Sequence, residues 1–205
     1  MPNFPNLRNA CLRDSGISDV SALKNLHTLN LSMNPVSDVS ALGKVYQLDL
    51  SRTAVIDVSA LGKVYQLDLS YTAVTDVSAL GGVHTLILRR TGVTDVSALG
   101  NVHTLNLRDS DVLDVSGLGR VHVLNLRGTS IRDVSALGNV HTLNLRDVIE
   151  LEDVSTLRNV HTLNLRNVPI SDVSALVNAH TLDLRGTYVR DTAALRDVCI
   201  VKINN

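Results

Sequence analysis

Aromatic side chains are nearly absent from this sequence. Of its 205 residues only 2% are Phe, Trp or Tyr, there is no Trp, and the single Phe is Phe4. A hydrophobic core must therefore be built from Leu, Val and Ala. Apolar residues nevertheless make up 44% of the chain and charged residues 19%, a composition that excludes an intrinsically disordered protein.

Cysteine, net charge and long apolar runs are scarce as well. The two cysteines, Cys11 and Cys199, lie near opposite ends, so they cannot form the clustered disulfides that close secreted repeat proteins. A net charge of −1 lacks the basic balance of non-specific nucleic-acid binders. No apolar run approaches the ~18 residues of a transmembrane helix, and the first residues do not resemble a signal peptide. These features predict an intracellular, cytoplasmic protein without a membrane partner.

One motif, Asp-Val-Ser, recurs along the whole chain. Its copies begin at Asp19, Asp38, Asp57, Asp76, Asp95, Asp114, Asp133, Asp153 and Asp172, and a degenerate copy begins at Asp191. The spacing is 19 residues throughout, except for one interval of 20 residues between Asp133 and Asp153. A fixed period of this length predicts a solenoid in which each repeat packs on its neighbours.

Each repeat combines two hydrophobic periods. In the repeat 102–120, with Val102 as position 1, apolar residues occupy positions 1, 4, 6, 11, 14 and 17. The alternation at positions 4 and 6 is typical of a strand, and the three-residue spacing at 11, 14 and 17 suits a 3₁₀-like turn. We therefore predict ten 19-residue coils, numbered from Leu7, whose strands stack into one parallel sheet.

The strand half of the repeat resembles the leucine-rich repeats, whose pattern is L-x-x-L-x-L-x-x-N-x-L. The matching residues are Leu26, Leu29, Leu31, Asn34 and Val36. The return arc resembles the 22-residue subclass of the phosphatase-regulator and internalin groups, shortened by three residues. Short repeats of this kind are also similar to those that some large DNA viruses carry in tandem.

The resemblance covers nearly the whole chain and implies a β-rich solenoid. We expect residues 1–6 to be a short lead-in, with Phe4 covering the first coil, and residues 7–205 to form a single domain. The parallel sheet would form the concave face and short 3₁₀-like turns the convex face, with slight curvature. Because both ends lack a cap, end-to-end self-association is expected.

Two positions of the repeat carry specific structural expectations. Position 9 is an Asn in the family but Ser or Thr in most of these repeats, which predicts a weaker hydrogen-bond ladder between coils. Val148 or Ile149 and then Val168 occupy this position beside the 20-residue interval, where we expect a bulge or kink. Position 13 is always Asp, and we expect it to cap the turn that follows rather than to bind metal.

Side chains that face away from the core form columns along the strand face. Position 2 holds all seven His and two Tyr, position 5 holds mainly Asn or Asp, and position 7 changes from Ser to Arg at the fifth repeat. The predicted binding residues are His103, His122, His141, Arg108, Arg127, Arg146, Asn106, Asn125 and Asn144. A rival patch on repeats three and four consists of Tyr46, Tyr65, Asp49 and Asp68.

Several interpretations fit these columns. The family resemblance implies a non-enzymatic scaffold that binds a protein partner through the concave face. The alternative is recognition of nucleic acid or another polyanion by the Arg and His columns. Inheritance by recent duplication and ice binding by the Thr and Asn columns remain further alternatives. The sequence contains no motif for catalysis, and we expect neither a cofactor nor a metal.

Overall fold

A parallel sheet is the framework of the protein. Residues 7–203 are described by a computed structural model, in which each strand pairs with the next strand along the chain. In this range the strands are β1 (Asn9–Cys11), β2 (Thr28–Asn30), β3 (Gln47–Asp49), β4 (Gln66–Asp68), β5 (Thr85–Ile87), β6 (Thr104–Asn106), β7 (Val123–Asn125), β8 (Thr142–Asn144), β9 (Thr162–Asn164), β10 (Thr181–Asp183) and β11 (Ile200–Lys202). The predicted ten coils with their parallel strands are confirmed, and β11 follows them as a closing strand.

A short 3₁₀ helix lies opposite the strand in every coil. In the described range these helices are η1 (Ser21–Leu23), η2 (Ser40–Leu42), η3 (Ser59–Leu61), η4 (Ser78–Gly82), η5 (Ser97–Leu99), η6 (Ser116–Leu118), η7 (Ser135–Leu137), η8 (Ser155–Leu157), η9 (Ser174–Leu176) and η10 (Ala193–Leu195). Each helix has three residues, except η4 with five, so the arc of a coil holds only a short 3₁₀ helix. The predicted 3₁₀-like turns are therefore confirmed.

The core fills the space between strands and arcs. The six predicted core positions of the sixth coil are all at most 2% exposed, and they are Val102, Leu105, Leu107, Val112, Val115 and Leu118. Each such side chain contributes roughly 1.5–3 kcal/mol when fully buried. Since the same six positions recur in register along the solenoid, the coils share one continuous core.

The hydroxyls at position 9 bond within their own coil. Thr129 Oγ1 donates to the carbonyl oxygen of Leu126, three residues earlier, at 2.7 Å. Among the described residues at position 9, Asn34 alone reaches the preceding coil, where its Nδ2 donates to Leu12 O at 2.7 Å and its Oδ1 accepts from the backbone N–H of Ser15. The expected ladder of hydroxyls between coils is therefore wrong, because a Thr side chain is shorter than Asn.

The inserted residue is absorbed by the arc and leaves the sheet regular. Strands β8 and β9 pair in register, with Thr142 opposite Thr162. On the arc, Val148 and Leu151 are both fully buried while Ile149 is 71% exposed. The irregularity expected beside the insertion is a wider turn on the arc, in which Val148 and Leu151 are buried and Ile149 faces solvent.

The recurrent aspartates stabilise the start of each 3₁₀ helix. Asp95 Oδ1 accepts the backbone N–H of Ser97 at 2.9 Å, and this hydrogen bond is the main reason that the pKa of Asp95 is lowered. The carboxylate lies one residue before the N-cap residue Val96. The predicted capping bond is made, although from the preceding position.

The ends of the solenoid leave some expectations open. Phe4 and the proposed lead-in lie outside the described residues, so the covering of the first coil stays a prediction, as do slight curvature and end-to-end association. Strands β1 and β11 each have one neighbour in the described part of the sheet. No described helix is long and apolar enough to span a membrane.

Candidate interaction surface on the strand face

Four columns of side chains make up the strand face, which we define as positions 2, 3, 5 and 7 of the coils. Leu105 and Leu107 point into the core, so the residues that alternate with them point outward. In the sixth coil the outward residues are His103, Thr104, Asn106 and Arg108. Because the strands pair in register, each residue type lies beside its counterpart on the next coil.

The position-2 rings stack on one another along the sheet. Neighbouring ring centroids are 4.4–4.8 Å apart. The stack consists of His27, Tyr46, Tyr65, His84, His103, His122, His141, His161 and His180. The predicted His column and the rival Tyr patch are therefore parts of one surface.

A neighbouring threonine orients most of these histidines. His103 Nδ1 lies 3.3 Å from Thr104 Oγ1, and the same contact occurs in coils 5, 8 and 9. The seventh coil has Val123 in place of Thr, so the ring of His122 lacks this contact. That ring is tilted by 37° from His103, the largest angle among the described ring pairs.

The asparagines at position 5 support the chain beside the arginines. Asn125 Oδ1 accepts the backbone N–H of Arg127 at 3.0 Å, and Asn106 and Asn144 make the equivalent bond. The Nδ2 group of Asn125 makes no hydrogen bond to the described chain. The predicted amide column therefore offers donors to a partner, while its acceptors are largely committed to the fold.

The three predicted arginines are already paired with aspartates at position 8. Arg108 Nε lies 3.3 Å from Asp109 Oδ2, and Arg127 Nε lies 2.8 Å from Asp147 Oδ2. Arg146 Nε is 3.3 Å from the same Asp147 oxygen, at an angle unsuited to a hydrogen bond. The centre of the Arg column therefore has less free positive charge than the sequence indicated.

Two other arginines carry the unpaired charge. Arg89 and Arg166 make no ion pair within 4 Å among the described residues, whereas Arg185 pairs with Asp183 at 2.7 Å. Both belong to the position-7 column, but nothing in the sequence distinguishes them from the other arginines. Their distinction depends on which residue occupies position 8 of the neighbouring coils.

Position 8 has a left-handed backbone in all ten coils of the described range. Its eight residues other than Gly have φ values of 52–62° and are Asp14, Met33, Arg52, Tyr71, Arg90, Asp109, Asp147 and Asn167, and its glycines are Gly128 and Gly186. This turn directs Asp109 and Asp147 back toward the arginines. In the fourth coil it places the Tyr71 ring under the guanidinium of Arg52, 4.2 Å from the ring centroid.

The third and fourth coils give the same face an acidic character. Asp49 and Asp68 are partly buried and make no ion pair among the described residues. Burial raises the pKa of Asp68, and the charge of Asp49 adds to this effect. Beside them, Gln47 Nε2 donates to Gln66 Oε1 at 2.6 Å, which links the two coils.

The environment of the ring stack also affects histidine titration. Partial removal from water, followed by the charges of His84 and His122, lowers the pKa of His103. The pKa of His161 is lowered in the same way, with His141 and His180 as its neighbours. In the described part of the chain no group of three or more His, Cys, Asp or Glu residues is placed to hold a metal ion.

Comparison with known proteins identifies the architecture. No family model matches the sequence, and neither does any curated protein. Among solved structures, the leucine-rich-repeat protein LIC12759 of Leptospira interrogans superposes with a TM-score of 0.57 at 14% identity, covering 98% of this chain and 79% of that one. The chain has the fold of a leucine-rich-repeat protein.

Two further leucine-rich-repeat neighbours show how far the likeness extends. An internalin of Listeria monocytogenes, InlF, has a TM-score of 0.79 at 23% identity, covering 97% of this chain and 66% of InlF. TLR13, solved in complex with ssRNA13, has a TM-score of 0.65 at 18% identity, covering 90% of this chain and 34% of TLR13. The chain thus spans about two thirds of InlF and one third of TLR13. The resemblance to viral repeats stays a prediction.

Proposed function

We propose that this leucine-rich-repeat chain is a non-enzymatic scaffold that binds a protein partner on its strand face. The stack of nine rings carries the proposal, because it makes the face rigid over nine consecutive coils. Side chains that are already ordered lose little conformational entropy on binding. The Asn donors and the arginines beside the stack supply polar contacts to a partner.

The bonding of the face favours a protein over a polyanion. Arg108, Arg127 and Arg146 share two aspartates, so a polyanion would have to compete with existing ion pairs. The ring faces are occupied by neighbouring rings, so they are not available to stack nucleobases. Ring edges, amides and paired charges together suit the mixed polar surface of a protein.

A capture experiment tests this function. The triple variant Arg108→Ser, Arg127→Ser and Arg146→Ser replaces each arginine with the residue that coils 2–4 have at the same position. We expect the wild type to retain a protein from nuclease-treated lysate of the source organism and the triple variant to lose it. Equal capture by both would refute binding at this part of the face.

A matched control removes the same charge from elsewhere. Arg120, Arg158 and Arg196 are exposed and lie at positions 18 and 19, away from the strand face. The control variant Arg120→Ser, Arg158→Ser and Arg196→Ser should retain the partner. Loss of the partner in this variant as well would show that capture depends on net charge rather than on the strand face.

Polyanion binding is the second candidate, and the unpaired Arg89 and Arg166 favour it. The complex of TLR13 with ssRNA13 adds an example of this fold with a nucleic acid. Polyanion binding releases counterions, so affinity for a single-stranded oligonucleotide would fall steeply with salt. Binding that survives about 0.5 M salt, where the Debye length is only about 4 Å and exposed charges are strongly screened, favours the protein partner.

A further inference from the structure

We infer that the strand face binds an extended protein segment in one direction, with acidic residues of the segment over coils 5–9 and basic residues over coils 3 and 4. The inference rests on the proposed function and adds the chemistry and polarity of the partner. It follows from a change in the sign of charge along one continuous surface.

The sign of charge changes between the fourth and fifth coils. Position 7 is Ser51 and Ser70 in coils 3 and 4, and position 5 is Asp49 and Asp68 there. From coil 5 to coil 10 position 7 is always arginine, and position 5 is an amide in coils 6–9. Asp183 in coil 10 does not reverse this pattern, because Arg185 binds both of its carboxylate oxygens.

The first coil does not change the direction of this pattern. It carries Arg8 and Arg13 beyond the serine coils, and Arg13 donates to the sulfur of Met33 rather than to an acid. This end thus has two arginines, whereas position 7 of coils 5–10 has six. Coils 3 and 4 are therefore an acidic interval, and the long basic interval lies only on their C-terminal side.

Unpaired groups of opposite sign lie on the two sides of the boundary. Asp49, Asp68, Arg89 and Arg166 form no ion pair within 4 Å among the described residues, although the charge of Arg89 on the next coil partly offsets the effect of burial on Asp68. Burial disfavours the charged form of Asp68, so a cation from a partner would find a carboxylate that gains by being paired. Arg89 and Arg166 are four coils apart, about 19 Å, which an extended segment spans with about six residues.

The two zones are physically continuous. Tyr65 and His84 belong to the coils on either side of the boundary, and their rings are 4.4 Å apart at an angle of 14°. The ring stack therefore continues without a gap from the acidic zone, which is coils 3 and 4, into the basic zone, which is coils 5–10. One segment of about nine residues can lie along coils 3–9, a distance of about 29 Å.

The sign change selects a protein segment over a nucleic acid. A phosphodiester backbone carries the same charge at every unit, so the part of it that crosses coils 3 and 4 would meet Asp49 and Asp68. A polypeptide can place lysines over these coils and glutamates over the arginines. A second copy of the chain, laid antiparallel on the first, would also place opposite charges against each other. Dimerisation through this face is therefore a separate outcome of the test.

Synthetic peptides of about nine residues provide the probe. A block peptide has glutamates in one half and lysines in the other, and a control peptide has the same residues in alternation. A dye at the glutamate end transfers energy to an acceptor on either Cys11 or Cys199, which are exposed near opposite ends of the solenoid. The single-cysteine forms are made with Cys199→Ser or Cys11→Ser.

We expect the block peptide to bind about tenfold more tightly than the alternating one, which corresponds to about 1.4 kcal/mol. Transfer to the acceptor on Cys199 should exceed transfer to the acceptor on Cys11. Equal affinities, equal transfer to both sites, or no binding of either peptide would overturn the inference. If the chain dimerises and the peptide competes with dimerisation, the face belongs to a second copy and the inference also fails.

Variants in the acidic zone separate direction from binding. The double variant Asp49→Asn and Asp68→Asn keeps the oxygens that accept backbone N–H groups, and it should abolish the preference for the block peptide. The matched control Asp57→Asn and Asp76→Asn removes two charges from the arcs of the same coils and should keep it. If the wild type shows no preference for the block peptide while the arginine triple variant still loses its captured protein, the proposed function is supported and the inferred binding direction is wrong.

Discussion

Arg127 Nε lies 2.8 Å from Asp147 Oδ2 on the next coil, so the central cation of the strand face is paired before a partner binds. Burial alone would raise the pKa of Asp147, but hydrogen bonds from Asn167 and Arg127 hold it below its ordinary value. Asp147 can take this place because position 8 has a left-handed backbone, with φ of 62°. An acidic partner must displace Asp147 or share its arginines.

The substitution Asp147→Asn should therefore strengthen binding of an acidic peptide. It frees Arg127 and Arg146, while the new amide oxygen can still accept from Asn167. Since exposed ion pairs are worth up to about 1 kcal/mol, we expect a two- to fivefold lower dissociation constant, on the order of that energy. Titration by fluorescence anisotropy measures it. The control Asp111→Asn removes an exposed carboxylate outside the pairs, and an equal gain there would attribute the effect to net charge.

Glycine at position 8 of the seventh coil lowers the cost of the left-handed backbone and leaves room for a side chain of the preceding coil. Gly128 has a φ of 70°, and a Cβ atom there would collide with Asp109 Oδ1. We expect Gly128→Ala to destabilise the fold by more than the ~1 kcal/mol cost of the left-handed backbone alone. The control is Gly16→Ala, at φ 68° with no atom within 4 Å of the new Cβ. Equal losses in urea unfolding would show that Asp109 moves aside freely.

The fold could be predicted because the same spacing of apolar residues recurs in every coil. The spacing of Val102, Leu105 and Leu107 in one coil is weak evidence, but the same spacing in ten coils leaves one way to bury every apolar column. The one irregular interval was located correctly at 133–153. Its accommodation on the arc was not predicted, since the sequence does not show which of Val148, Ile149 and Leu151 turns outward.

The details of the site depend on geometry that the repeat pattern does not encode. Met33 and Tyr71 give no sign of a left-handed backbone, so the turn that directs position 8 back toward the arginines could not be predicted. Asp109 and Asp147 directly follow arginines in the sequence and can offset their charge, but the sequence does not show which arginines stay unpaired. Tyr65 and His84 stack because they share position 2, so the tyrosine patch and the histidine column are one surface rather than the two rival sites predicted.

One buried leucine and one exposed leucine test which positions of the repeat form the core. Leu124 is 1% exposed at position 4, while Leu113 is 65% exposed on the arc. Leu124→Ala should lower the free energy of unfolding by about 2–5 kcal/mol, because it leaves a cavity in a continuous core. Leu113→Ala should change it by less than about 0.5 kcal/mol. A comparable loss in both variants, measured by urea unfolding, would contradict the assignment.

Acidification should weaken the fold through the ring stack. The pKa values of His103 and His161 are lowered in the folded chain, so the unfolded chain takes up these protons first as pH falls below the ordinary value of 6.5. Stability contributed by the neutral rings is therefore present above pH 6.5 and declines below it. Turn carboxylates such as Asp95 have lowered pKa values, so their contribution is lost only below 3.8.

The double variant His103→Tyr and His161→Tyr isolates this effect. Tyrosine occupies the same position in coils 3 and 4 and stacks there, as Tyr46 does on Tyr65 at 4.7 Å. Between pH 7 and 5 the melting temperature of the variant should fall less than that of the wild type, because two of the stacked imidazoles no longer titrate. Binding of an acidic peptide should respond in the opposite direction, since protonated histidines add positive charge to the face. Parallel melting curves for both proteins across this range would show that the stack does not control acid stability.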